Sequence, residues 1–282
     1  MTLRIFVVGA SGYIGKALHQ AASAEFEVYG TSSSKSGEML ELSLGAPDDF
    51  DYEVIGSNDI VFLTAAISAP DICAREYEYA RSVNVVGTSE FIRRVIARGA
   101  RLVFFSSDTV YGEQDFVFDE KTETRPAGEY AEMKCEVENL FLADPLFKSV
   151  RLSYVFSRED KFTKYLTNCA KKGEEAELFH PFYRAVVHRD DVVEGALALA
   201  RRWSELSYPI INFAGPEIIS RVEFAERLKS SSLPELEYKV VEPDSVFFKN
   251  RPRMISMSSG IFCQLLGRPA RSLSEAAEVE FS

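Results

Sequence analysis

Residues 3–15 read LRIFVVGASGYIG: an apolar run that stops at a glycine, two further glycines at three-residue spacing, and then an amphipathic stretch reaching about residue 24. A nearly continuous Ile, Phe and Val run suits a strand covered by helices on both faces. Gly9, Gly12 and Gly15 fall where the chain turns from that strand into a helix. Glycine serves there because it accepts positive φ and lets the backbone approach a pyrophosphate, whose charge meets the free N–H groups of the helix start. The stretch predicts a phosphate cradle, with Ser11, Tyr13 and Ile14 as further cofactor contacts between the glycines.

The same alternation runs outward from this point. Strands are expected at 26–30, 59–64, 101–106, 151–156 and 210–214, and helices at 75–98, 130–143 and 191–202. Alternation of this kind means parallel strands joined by crossover helices, so the expected fold class is α/β, a doubly wound parallel sheet with a smaller C-terminal substrate lobe. The expected division is 1–152 for the nucleotide-binding domain and 153–282 for the lobe, with about 185–215 returning to the first domain. Residues 108–129, DTVYGEQDFVFDEKTETRPAGE, are too charged for a core element and are expected to form an active-site loop. Ser220 with Glu223, and the terminal SLSEAAEVEFS, carry the signature of capped helix starts.

The bulk numbers set limits. The 282 residues are 46% hydrophobic and 27% charged, an ordinary globular balance, and no stretch approaches the roughly 20 apolar residues of a membrane span. The N-terminal run lacks a cleavage site, so a soluble cytoplasmic protein without a membrane partner is expected. A net charge of −11 argues against a nucleic-acid partner, whose phosphates need clustered Lys and Arg. Cys73, Cys135, Cys169 and Cys263 are scattered without a C-x-x-C pair, so neither a metal site nor a disulfide framework is expected.

Two further stretches point to chemistry. Gly30 is followed by Thr31, Ser32, Ser33, Ser34 and Lys35, where an enzyme selective for NAD usually has a carboxylate for the ribose diol. Hydroxyls and a cation suit a 2′-phosphate instead, so NADP(H) is favoured, with NAD(H) as the alternative. Tyr130 and Lys134 are one helical turn apart and project from one face. A phenol exchanges protons poorly near neutral pH unless a cation stabilises its anion, and Lys134 is the candidate for that task. Upstream, FFSSDTVYG at 104–112 ends a strand at the edge where ligands collect in doubly wound sheets, and a hydroxyl there can hold a substrate carbonyl.

Taken together, GASGYIG at 9–15, TAA at 64–66, VNVVGT at 83–88, SSDTVYG at 106–112, YAEMK at 130–134, RLSYVF at 151–156 and VHRDDVVEGALAL from Val187 resemble the extended short-chain dehydrogenase/reductases that act on nucleotide sugars. The resemblance covers almost the whole chain and implies a Rossmann fold. It gives Ser107 the position of the catalytic hydroxyl, Tyr130 that of the proton donor, and Lys134 that of the residue that binds the nicotinamide ribose and lowers the tyrosine pKa. Asn84 matches an asparagine tying the central helix to the active-site strand, and is counted with Thr64, Ala65 and Ala66 among the cofactor residues. Length and the C-terminal half, with DKFTKYLTNCAKKG from Asp160, NFAGPEIISRVEFAERL from Asn212 and RPR at 251–253, resemble the dTDP-4-dehydrorhamnose reductase branch of 4-ketoreductases. Ser107-Asp108 departs from the Thr-Asp of that branch, and the lack of an adjacent Glu departs from the dehydratases.

The implied reaction is reduction of a 4-keto group on a nucleotide-linked sugar by NADPH. Ser68, Ser107, Asp108, Thr109, Lys161, Phe162, Arg184 and Arg251 are the expected substrate contacts, the cations meeting a diphosphate. Phe179 and Tyr183 are further aromatic candidates, and His180 and His188 read as structural. The rival readings are an epimerase holding NAD tightly and a non-catalytic NADP-binding regulatory subunit. Helices 75–98 and 130–143 also resemble the elements that pair across a two-fold axis in this superfamily, which implies a homodimer.

Overall fold

The structure, a computed structural model, describes residues 3–34 and 37–282, so Lys35 of the expected cofactor loop lies outside the described residues. The first half of the chain runs β1 (Arg4–Val8), α1 (Tyr13–Ala22), β2 (Glu27–Ser32), β3 (Leu40–Glu41), β4 (Ile60–Leu63), α2 (Pro70–Arg75), α3 (Tyr77–Arg81), a π-helical turn (Ser82–Gly87), α4 (Thr88–Ala97), β5 (Arg101–Ser107), α5 (Glu129–Phe141) and β6 (Phe147–Leu152). It continues through β7 (Val155–Phe156), α6 (Lys161–Lys172), β8 (Ala176–Phe179), β9 (Tyr183–Ala185), β10 (Val187–His188), α7 (Arg189–Arg201) and β11 (Ile210–Phe213). The last elements are β12 (Ile218–Ser220), α8 (Arg221–Ser231), β13 (Tyr238–Val241), α9 (Ser245–Lys249), β14 (Met254–Ile255), α10 (Gly260–Leu266) and α11 (Leu273–Phe281).

Seven strands form one parallel sheet in the order β11-β6-β5-β4-β1-β2-β3, so the fold is the doubly wound α/β arrangement. The winding reverses between β1 and β4, and a crevice opens there beyond the strand ends. Each buried strand feeds two cores, because successive side chains point to opposite faces. Ile5 and Val7 join Leu18, Leu199 and Phe262 on one side, whereas Phe6 and Val8 join Phe91, Ile92 and Val137 on the other. A third core, with Phe156, Leu166, Leu178, Phe224 and Leu273, fills the C-terminal lobe. Small sheets β10-β7, β12-β9-β14 and β13-β8 frame that lobe. No helix among the described residues is long and apolar enough to cross a membrane.

Several expectations are corrected. The single helix at 75–98 starts earlier, at Pro70, breaks at Glu76 (φ −117°, ψ 47°), and widens into the π turn before α4. At the end of the π turn the packing is close: a Cβ on Gly87 would clash with the Leu44 carbonyl oxygen, so this helix rests directly on the chain after β3. The strand at 151–156 is two strands, because the chain leaves the sheet at Ser153 and re-enters pairing with β10 at Val155. Residues 108–129 are no solvated loop throughout: Tyr111 and Phe118 are fully buried and stack at 4.8 Å. The two capping boxes form as read, at Ser220 with Glu223 and at Ser272 with Glu275.

A buried ion pair fixes α5 against the sheet. Arg151 of β6 donates to Glu138 at 2.7 Å, and Ser149 donates to the same carboxylate at 2.7 Å. Removing one partner would strand a buried charge, which makes this pair a strong constraint on where α5 lies.

Candidate active site

At the switch point, the turn after β1 builds a groove of about 530 Å³. Gly9 has φ +84°, and a Cβ on Gly15 would fall 2.2 Å from the Gly9 carbonyl oxygen and 2.7 Å from Thr64 Oγ1. Only glycine permits that approach, and it lets the amides at the α1 N-terminus face the groove. Ser11, Gly12, Tyr13, Ile14, Thr64, Ala65 and Ala66 line it, as does Ser33 beyond β2. Thr31 and Ser32 belong to β2 itself and are buried, and Ser34 is exposed outside the lining, so of the expected hydroxyl run only Ser33 faces the groove. Ser43 and Leu44, from the chain after β3, complete the far wall and carried no motif in the sequence.

Tyr130 and Lys134 sit where this groove meets a second cavity of about 830 Å³ running into the C-terminal lobe. Tyr130, Ser68 and Ser106 line both. Lys134 is buried; its Nζ donates to the Phe105 carbonyl at 2.8 Å and stands 4.4 Å over the Phe104 ring. Burial lowers its pKa to about 8, with Glu138 and Cys73 opposing. Burial raises the Tyr130 phenol above its ordinary value, and the Cys73 and Asp108 charges add to the rise. The Lys134 ammonium is turned toward the Phe105 carbonyl and lies 5.9 Å from the tyrosine ring centre, and burial is the largest influence on the tyrosine.

Asn84 is also corrected. Its side chain accepts from the Ile67 amide at 2.9 Å and donates to the Ile67 carbonyl at 2.9 Å, so it clamps the chain after β4 rather than β5. It is buried outside the groove lining and holds Ile67, which follows the groove-lining residues Thr64, Ala65 and Ala66.

The second cavity gathers charge. Ser107 ends β5, and its Oγ accepts from the Thr109 amide at 3.2 Å and the Thr109 hydroxyl at 2.9 Å while donating to Asp108 at 3.3 Å. Ser107, Asp108, Lys161, Phe162 and Arg184 line the cavity. Thr109 is outside its lining and supports Ser107 instead. Arg251 is not among the lining residues either: both its terminal nitrogens donate to Asp71, at 2.8 and 2.6 Å, because α2 brings a carboxylate to it from the other half of the chain. Phe179 and Tyr183 also stay out of the cavity. His188 pairs with Glu280 at 2.9 Å and His180 packs on Tyr183.

Arg221, which the sequence reading passed over, lines this cavity with Tyr154, Tyr165 and Phe182. Its guanidinium lies 4.5, 4.9 and 5.9 Å from the rings of Phe162, Phe182 and Phe179, and no described carboxylate pairs with it. Burial lowers its pKa, Tyr154 opposes, and the nearby Arg251 lowers it further. A signal was present: a cation at the first position of α8 opposes the helix dipole, so its reason lies outside the helix.

The family described as "RmlD substrate binding domain" matches residues 3–271. A dTDP-4-dehydrorhamnose reductase of Mycolicibacterium smegmatis is 28% identical over 163 residues, 57% of this chain and 48% of that protein, so the chain spans about half of that relative's length. Methionine adenosyltransferase 2 subunit beta of Pongo abelii is 22% identical over 264 residues, 89% of this chain and 78% of that protein. Among solved structures, a hypothetical dTDP-4-dehydrorhamnose reductase from Sulfolobus tokodaii superposes with a TM-score of 0.82 at 25% identity, covering 98% of this chain and 99% of that one.

Proposed function

The chain belongs to the RmlD substrate binding domain family, and on that premise we propose that it reduces a 4-keto group on a nucleotide-linked deoxysugar with a nicotinamide cofactor, NADP(H) in preference to NAD(H). The observation that carries this reading is the position of Tyr130 and Ser106 in the walls of both cavities, with Ser107 beside them, at the junction of a glycine-lined groove and a charged lobe. The cofactor supplies a hydride when bound. Gly9, Ser11, Gly12 and Gly15 receive its pyrophosphate, and Lys134 its nicotinamide ribose. Tyr130 protonates the sugar oxygen as it gains charge. Ser107 holds the same oxygen, and Arg221 with Lys161 meets the diphosphate. Residues 1–152 thus hold the cofactor and supply Ser107 and Tyr130 to the sugar, and 153–282 form the substrate lobe, with about 185–215 returning to the first domain.

Preference for NADP(H) rests on the groove lining: Ser33 and Ser43 offer hydroxyls, and no carboxylate lines the groove among the described residues. Free thiols at all four cysteines suit the cytoplasm. The outer faces of α3, the π turn and α5 leave Tyr77, Val86 and Leu140 exposed, which supports a homodimer there. Titration of NADPH and NADH, then oxidation assays with nucleotide-linked 4-keto-6-deoxy sugars, tests the reading. NADPH oxidation dependent on a ketone, lost in Tyr130→Phe, supports it; NAD retained through purification with no net oxidation sinks it in favour of an epimerase.

A second reading is a non-catalytic NADP-binding regulatory subunit, and the likeness over 264 residues to a protein named as a subunit of methionine adenosyltransferase 2 keeps a subunit role in view. Tyr130 and Lys134 weigh against it. Cofactor binding with no reduction of any ketone would favour it.

A further inference from the structure

Arg184 stands apart from the other cations of the lobe because the chain itself anchors it. Its Nη1 donates to the Tyr183 carbonyl at 2.6 Å and its Nη2 to the Pro252 carbonyl at 2.9 Å, and the guanidinium lies 4.2 Å over Phe182. The remaining nitrogen, Nε, points to Asp108 Oδ2 at 3.6 Å, a charge contact rather than a hydrogen bond. Both residues are buried, at 7% and 4% exposure, so this is a pair of opposite charges in a medium where each depends on the other.

Asp108 in turn touches the reaction site. Its Oδ2 accepts from Ser153 at 3.0 Å and its Oδ1 from Ser107 at 3.3 Å. An ionised carboxylate only accepts, so Asp108 takes the Ser107 proton, through a long 3.3 Å bond, until a sugar oxygen competes for it, while Thr109 donates twice to the serine oxygen. A protonated Asp108 would itself become a donor and compete for that oxygen. The charged and titratable groups around the pair are Tyr130 on α5, Arg221 on α8, Arg251 near the C-terminus and Glu113 after Tyr111.

We propose that Arg184 is a positioning residue for the reduction: it keeps the buried Asp108 ionised and through it fixes the direction of the Ser107 hydroxyl. The inference rests on the roles given to Tyr130 and Ser107 above. Without Arg184 the buried Asp108 takes up a proton and turns a donor toward the Ser107 oxygen. Burial drives Asp108 toward its neutral form and Arg184 opposes that drive.

The test compares wild type, Arg184→Met, Asp108→Asn and the double variant in ketone reduction across pH. Arg184→Met should lower kcat at neutral pH by about tenfold or more, leave KM within about threefold, and move the acid limb of the kcat profile to higher pH. Adding Asp108→Asn should restore most of the lost kcat, since an amide oxygen accepts from Ser107 at any pH and cannot take up a proton. A raised KM with kcat intact, or a double variant no better than the single, would overturn the proposal and make Arg184 a substrate-phosphate ligand. Infrared titration supplies a readout independent of turnover: a protonated carboxyl band should appear near neutral pH in Arg184→Met and vanish in the double variant. If that band appears while wild type reduces no ketone, the charge relation stands and the reductase reading falls; if it never appears, this proposal falls alone. Should Arg184→Met fail to fold, Arg184→Lys keeps the charge and should keep the acid limb where wild type has it, a displaced limb counting against the proposal.

Discussion

The groove after β1 and the cavity in the C-terminal lobe meet at Tyr130, yet they are built from opposite materials. The groove is lined by glycines, small hydroxyls and apolar side chains such as Ile14, Leu44 and Val83, with Lys134 its one charged lining residue among those described. The lobe cavity is lined by Asp108, Glu159, Asp160, Lys161, Arg184 and Arg221. A pyrophosphate on amides needs only backbone shape, whereas a variable sugar nucleotide needs side chains converging from several elements. The two regions should therefore fail differently when perturbed.

The largest expected effect falls on their shared residue. Tyr130→Phe should lower kcat by about a thousandfold while NADPH and substrate affinities stay within about threefold, because only the transferred proton is lost. A comparable loss of affinity in titration calorimetry would mean that the tyrosine mainly binds. Next comes Lys134, whose burial separates its folded pKa, about 8, from an ordinary value of 10.5. Between those two values the unfolded chain holds the extra proton, so stability rises with pH across about 8 to 10.5, by roughly 3 kcal/mol at most. Lys134→Met should abolish that rise in denaturant titrations at pH 7.5 and about 10.

Two smaller effects separate the regions. Gly15→Ala pushes a methyl against the Gly9 carbonyl, and NADPH affinity should fall by about a hundredfold, with binding of a free nucleoside diphosphate unchanged. Arg221→Met should do the reverse, raising KM for the sugar nucleotide by about tenfold with NADPH binding intact, as expected for loss of a charge-assisted contact. Fluorescence titration of both ligands against both variants decides the matter. If either variant weakens both ligands equally, the two regions are one coupled site and the contrast drawn here is wrong.

The same contrast explains what could be read in advance. The cradle at Gly9, Gly12 and Gly15 was legible because its demands are local: positive φ, a tight turn and an open helix start are fixed by consecutive residues. Tyr130 and Lys134 were legible for the same reason, since one helical turn sets their spacing. Arg251 was misassigned because nothing within its own segment reveals that α2 brings Asp71 to it across 180 residues. The helix expected at 75–98 is helical from Tyr77 to Ala97, and its widening at the π turn, where Gly87 lies against the Leu44 carbonyl far away in sequence, carried no local signal.

The sequence by itself determined the alternation of strands and helices, the phosphate turn and the tyrosine–lysine pair, since each is decided by hydrophobic period and backbone conformation over a few residues. Only the tertiary structure decided that Lys134 turns to Phe105, that Arg184 stands beside Asp108, and that Arg221 lies among three phenyl rings without a carboxylate. Those outcomes depend on which charges meet where water has been excluded, and burial then changes both their partners and their proton affinities.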